Sequence, residues 1–179
     1  MVEGKERERK GKRQMDKLHV TRVIGVEGFC NSGKSSVLKK LCQVLLSQQG
    51  ARILHVYGYN GDELAVKNID YNADVFVVIE VYGRIVVIVT GGDYLNIPYI
   101  VINVLIRLSI RIDVAFVAMR YMYPSVGDMY RKLLKGIALE SVFKPGLKRI
   151  YEFPEGVLET VDQLWVKELL RRASINIDL

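Results

Sequence analysis

The sequence predicts a three-layer α/β/α domain, in which a mostly parallel sheet of five strands, with one added antiparallel strand, is covered by helices on both faces. Three observations carry that expectation. Residues 23–40 read V-I-G-V-E-G-F-C-N-S-G-K-S-S-V-L-K-K, a buried-strand pattern that passes through a glycine-rich turn into a helical one. Further on, short apolar runs alternate with helical patterns, which is how a parallel sheet wrapped on two sides is encoded. The runs 75–81 and 85–89 are separated only by Tyr82-Gly83-Arg84. Such a pair reads as a hairpin, so one of its strands must run against the rest.

The elements follow in order. Residues 34–49 place Val37, Leu38, Leu41, Val44 and Leu45 on one helical face, and Gly50 supplies the stop. Residues 52–57 read as the second parallel strand, with His55 as a packed strand residue, and end in Gly58-Tyr59-Asn60-Gly61-Asp62-Glu63. This loop should open on the same edge as the first glycine turn. The helix expected over 96–111 is apolar nearly all round, with Ile100, Val101, Val104, Leu105 and Leu108, so it is either deeply buried or covers an interface. Residues 113–119 are expected as the fourth parallel strand, 128–140 as a helix, 149–153 as the fifth parallel strand and 157–172 as a closing amphipathic helix. No internal repeat is visible.

The glycine turn carries the chemistry. Gly28 to Ser35 spell G-x-x-x-x-G-K-S without a mismatch, a loop whose main-chain N–H groups, together with the positive end of the following helix, curl around an anion. Gly28 and Gly33 free the backbone to do so. The expected binding set is Gly28, Asn31, Ser32, Gly33, Lys34, Ser35 and Ser36, with ATP or GTP as ligand. Lys34 would reach the β- and γ-phosphates, Ser35 would ligate Mg²⁺, and Ser36 offers a donor to the α-phosphate. Asp93 follows the strand 85–89 through Thr90-Gly91-Gly92. It is expected either as a second catalytic and metal-side residue, beside Lys34 and Ser35, or as a turn residue or helix cap.

With 179 residues, half of them hydrophobic, the chain suits one α/β domain. Residues 18–179 are read as that domain and 1–17 as a basic flexible arm. In the arm Lys5, Arg7, Arg9, Lys10, Lys12, Arg13 and Lys17 outnumber Glu3, Glu6, Glu8 and Asp16. That composition gives a solvated tail or a nucleic-acid contact. The formal charge of +6 suits polyanionic partners without choosing among them. Cys30 and Cys42 are the only cysteines, too close to the active loop to act as a staple, and point to a reducing compartment, the cytoplasm. No apolar run approaches the roughly 20 residues that span a bilayer, and no membrane partner is expected.

The residues from Val23 to Gly50 resemble the opening of thymidylate kinases and related nucleotide kinases of the P-loop NTPase superfamily, in which Glu-Gly precedes the loop and Gly closes the helix. In that resemblance Gly92-Asp93-Tyr94 takes the place of the family's Asp-Arg-Tyr or Asp-Arg-His segment, and Arg131 that of an arginine after the fourth strand. The hairpin is instead similar to that of small GTP-binding proteins. The chain departs from both: Tyr94 follows Asp93 where the kinases have arginine, and Met119-Arg120 stands where the GTP-binding proteins carry Asn-Lys-x-Asp. The resemblance implies Mg²⁺-dependent binding of a nucleoside triphosphate and phosphoryl transfer to an acceptor, or hydrolysis. The alternative is a nucleotide-dependent switch acting on a protein or nucleic-acid partner, and either leaves an oligomer open.

Overall fold

A computed structural model describes residues 18–65, 69–121, 125–144 and 156–177. The expected basic arm, 1–17, and the strand expected over 149–153 lie outside the described residues. Among the described residues ten elements run in the order β1 (Arg22–Gly28), α1 (Lys34–Leu46), β2 (Arg52–Tyr57), β3 (Phe76–Val81), β4 (Arg84–Val89), α2 (Ile97–Leu108), β5 (Val114–Arg120), α3 (Val126–Leu133), β6 (Ala138–Phe143) and α4 (Val157–Arg172). The strands form one six-stranded mixed sheet in the order β2-β3-β4-β5-β1-β6. Pairings β4–β5, β5–β1 and β1–β6 are parallel, while β3 is antiparallel to both neighbours. Five strands therefore share one direction and β3 alone opposes them.

Alternation along each strand sends side chains to two separate cores. Ile24, Val26, Ile88, Phe116 and Ala118 pack with Val37, Leu38 and Leu41 of α1 and with Val166 and Leu169 of α4. Val23, Val87, Val89, Val117 and Met119 pack with Val101, Val104 and Leu105 of α2 and with Val126 and Tyr130 of α3. Because both faces are covered, the central strands read as nearly unbroken apolar runs. The nearly all-apolar α2 is consumed in the same way: Ile97, Val101, Ile102, Val104 and Leu105 are buried. It ends at Ser109, whose φ of 50° leaves the helical region.

The hairpin forms as its spacing predicts, with Tyr82 and Gly83 both at positive φ between β3 and β4. Two consecutive left-handed residues are the signature of the two-residue turn that matches the twist of paired strands. His55 is not buried in β2; its Nδ1 lies 2.7 Å from Glu63 Oε1 and its ring stacks on Tyr57.

The helix expected over 128–140 is a correction. It stops at Leu133, Gly136 turns the chain at φ 88°, and residues 138–143 form β6 beside β1. Leu133, Leu134 and Ile137 share a helical spacing that carries the pattern too far. The strand wins because β1 is buried almost throughout, and its main-chain groups on that side would otherwise lack partners. β6 is an edge strand with only Val142 fully buried, so its own sequence shows little strand signal. Among the described residues no helix is long and apolar enough to cross a membrane.

Candidate functional site

The 28–35 loop leaves the carboxyl end of β1 and enters α1 through two left-handed residues, Asn31 at φ 57° and Gly33 at φ 82°. At Gly33 the room is also gone: a Cβ there would meet Lys144 Nζ at 2.9 Å. Gly28 ends β1, and its carbonyl accepts from the main-chain N–H of Tyr121 at 2.9 Å. Among the described residues no side chain caps α1, and no acidic residue stands in its first turn. By contrast, Ser125 and Asp128 cap α3 reciprocally. The first N–H groups of α1 thus have no side-chain acceptor among the described residues, and the positive end of the helix faces the loop.

Two ammonium groups converge on the loop. Lys34 donates from Nζ to the Phe29 carbonyl at 2.7 Å, and Lys144 donates to the Ser32 carbonyl at 2.8 Å. They are only 5% and 4% exposed. Lys34 makes no ion pair among the described residues, and the nearest carboxylate oxygen of Lys144 is that of Asp162, 4.0 Å away. Burial lowers the pKa of Lys34, against the raising influence of Asp93 and Cys30, and the charges of Arg120 and Lys144 push it further down. Burial likewise lowers that of Lys144, with Asp162 opposing. Burial in turn raises Asp162, while Lys144 and Lys40 draw it down. The hydroxyl of Ser32 and Nε of Arg120 are buried and find no hydrogen-bond partner among the described residues. Positive charge and unpaired donors are concentrated here beyond what the described residues satisfy.

Each residue expected from the sequence can now be placed. Gly28, Asn31, Ser32, Gly33 and Lys34 form the loop, and Ser36 is exposed on the first turn of α1. Ser35 donates from its hydroxyl to the Thr90 carbonyl at 2.9 Å, tying the start of α1 to the exit of β4. Asp93 is exposed, yet its charge reaches Lys34. It gets there because Gly92 lies flat on β5, where a Cβ would stand 2.3 Å from the Ala118 carbonyl. The strand order matters: β5 separates β4 from β1, so Arg120 flanks the loop directly and Asp93 leans in from one strand further away.

Arg120, Lys144 and an aromatic cluster escape sequence reasoning. Phe29, Tyr121 and Phe143 sit at the carboxyl ends of three adjacent strands, with ring centroids 5.3 to 5.9 Å apart and edge-to-face. Each ring is about half exposed. Nothing local marks Lys144 as special; only the β1–β6 pairing brings it to the loop, its N–H donating to the Glu27 carbonyl at 2.7 Å. Among the described residues no group of three His, Cys, Asp or Glu side chains could hold a metal alone. A Mg²⁺ carried by phosphates needs no such cage, because it keeps its waters and takes one or two protein oxygens. The Ser35 hydroxyl and the Asp93 carboxylate are oxygens of that kind. The chain matches no family model, no curated protein and no solved structure.

A pH dependence follows. An anion on the loop favours the charged form of both lysines and raises their pKa values from the lowered ones of the free protein. Binding should therefore take up protons in the window between the lowered values and the bound ones, and affinity should fall as pH rises through the lowered values. In the free protein the unfolded chain holds more protons in the window below 10.5, so stability rises with pH there. Titration calorimetry of triphosphate binding in two alkaline buffers of different ionisation enthalpy measures the uptake. Identical heats in both would remove the two lysines from the site.

Proposed function

We propose that the chain is a P-loop NTPase domain, with a three-layer α/β/α fold, that binds a nucleoside triphosphate with Mg²⁺ and transfers or hydrolyses its terminal phosphate. The single observation that carries this reading is the convergence on a glycine loop of two buried ammonium groups, for which the described residues supply one carboxylate, that of Asp162, 4.0 Å from Lys144. Holding two buried cations together with so little opposing charge is unfavourable, and a phosphate chain would relieve it.

In this reading the main-chain N–H groups of the loop and of the first turn of α1 hold the β- and γ-phosphates, with Lys34 and Lys144 as their cations. Ser35 and Asp93 would hold Mg²⁺, whose contribution is to neutralise charge on the phosphates during transfer. Arg120 stands ready for charge that develops on the transferred group. Asp93 positions the acceptor hydroxyl or water. The exposed rings of Phe29, Tyr121 and Phe143 offer a stacking surface for the nucleobase beside the phosphates. ATP is the first choice of ligand, with GTP next, since no Asn-Lys-x-Asp stands after β5.

The switch reading keeps one specific observation in its favour: Tyr94, Leu95 and Tyr99 are exposed at the start of α2, next to Asp93. A partner protein seated there would sense the site.

Thermal shift and calorimetry with MgATP, MgGTP and magnesium tripolyphosphate test the nucleotide reading. At 100 times its dissociation constant a ligand adds about 2.7 kcal/mol of stability, a shift of several degrees. Phe143→Ala is expected to weaken nucleotide binding by the roughly 1–3 kcal/mol of one stacking contact while leaving tripolyphosphate affinity unchanged. Equal losses for both ligands would remove the rings from base recognition.

A further inference from the structure

Beyond Asp93, on the side away from β5, the carboxyl ends of β2 and β4, the amino end of β3 and the first turns of α2 line a cavity of about 320 Å³. Its wall is apolar, built by Val56, Phe76 and Val89 from the sheet, Ile97 and Val101 from α2, and Leu64 from the following loop. That volume falls in the lower range of small-molecule sites, which combine an apolar wall with a few placed polar groups. Here the polar groups are the phenols of Tyr57 and Tyr59 and the carboxylates of Asp70 and Asp74. Among the described residues no lysine or arginine lines it. Arg107, behind the 58–64 loop, is engaged by the Gly61 carbonyl.

The cavity is wired to the glycine loop. Tyr59 donates from its hydroxyl to Asp74 Oδ2, and Thr90 donates from Oγ1 to Asp74 Oδ1 at 3.1 Å. The Thr90 carbonyl accepts from Ser35 at 2.9 Å. Tyr59 also lies against Gly91, where a Cβ would meet its ring at 2.8 Å. One wall of the cavity is therefore the segment 89–91 that leads directly to Asp93, whose charge acts on both Tyr59 and Lys34.

We infer that this cavity binds the phosphoryl acceptor, and that the acceptor is an organic alcohol with an apolar body and no negative charge. The acceptor role rests on the nucleotide reading above. The class follows from the wall: its apolar groups take a ring or branched chain, and its two carboxylates repel an anion such as a nucleoside monophosphate. The alcohol oxygen attacks the γ-phosphorus and forms a new O–P bond. The bond from that phosphorus to the β,γ-bridging oxygen breaks, and its electron pair leaves on the nucleoside diphosphate. The hydroxyl proton passes to the Asp93 carboxylate and then to water.

Ligand-observed NMR on the whole chain, with the loop filled by Mg²⁺ and a non-hydrolysable ATP analogue, tests this with two probes: 2-phenylethanol and thymidine 5′-monophosphate. The expected result is saturable binding of 2-phenylethanol, tightened by the analogue through the Ser35–Thr90–Asp74–Tyr59 chain, and no displacement of it by thymidine monophosphate. Ala73, exposed at the rim, and Leu64 are sites where a larger ring would fill the opening. Ala73→Trp and Leu64→Trp should each weaken 2-phenylethanol at least tenfold and leave the affinity for the analogue unchanged. Parent-like binding by both variants, or displacement by thymidine monophosphate, would overturn the inference. If the analogue itself fails to bind while 2-phenylethanol does, the nucleotide reading has failed and takes the acceptor role with it; that outcome is distinct, because the cavity would still respond to the two tryptophan variants.

Discussion

Lys34→Ala is expected to lower triphosphate affinity by about a hundredfold while the fold survives. The ammonium is buried, faces one carbonyl at 2.7 Å and makes no ion pair among the described residues, so in the free protein it contributes little or is unfavourable. On a phosphate chain the same group makes charge-assisted hydrogen bonds worth about 3 kcal/mol together. Stability of the free variant should therefore match or exceed that of the parent, and only the ligand-induced shift in melting temperature should disappear. Calorimetry of MgATP binding to both proteins reads the loss directly. Equal affinity in parent and variant would refute the nucleotide reading, since no other residue of the loop carries its charge so far inward.

The second large effect is expected in turnover. Asp93→Asn should reduce Mg²⁺-dependent phosphate release or transfer by roughly a hundredfold or more, the scale of a positioned acid–base group. It should change nucleotide affinity by no more than about 1 kcal/mol, because the carboxylate is exposed and an exposed charge is well screened. The variant also removes the negative charge that opposes the downward shift of Lys34. Its triphosphate affinity should accordingly begin to fall at lower pH than in the parent. A variant with normal turnover and an unshifted pH profile would leave Asp93 as a turn residue at the start of the segment leading into α2.

Much of this protein is legible locally. The loop motif, the strand before it and the helix after it lie within one short stretch, and the closing helix spans Val157–Arg172 as its periodicity predicts. The hairpin is set by two adjacent residues at positive φ. Each of these depends on contacts a few residues apart, so a window of sequence contains the information. β6 is legible only in part, because an edge strand buries one side chain fully and its neighbours, Leu133 to Ile137, imitate a helical face.

The sequence by itself determined the two-sided α/β plan and the glycine loop with Lys34 and Ser35, because hydrophobic period and turn chemistry act between near neighbours. Only the tertiary structure decided that β5 lies between β1 and β4, that Lys144 reaches the loop from the end of β6, that Phe29, Tyr121 and Phe143 meet, and that a cavity opens beside Asp93. Strand order carries no period in the chain. It is settled by which buried main-chain edges and apolar faces satisfy one another across more than a hundred residues between β1 and β6, and that competition has no counterpart in any local stretch.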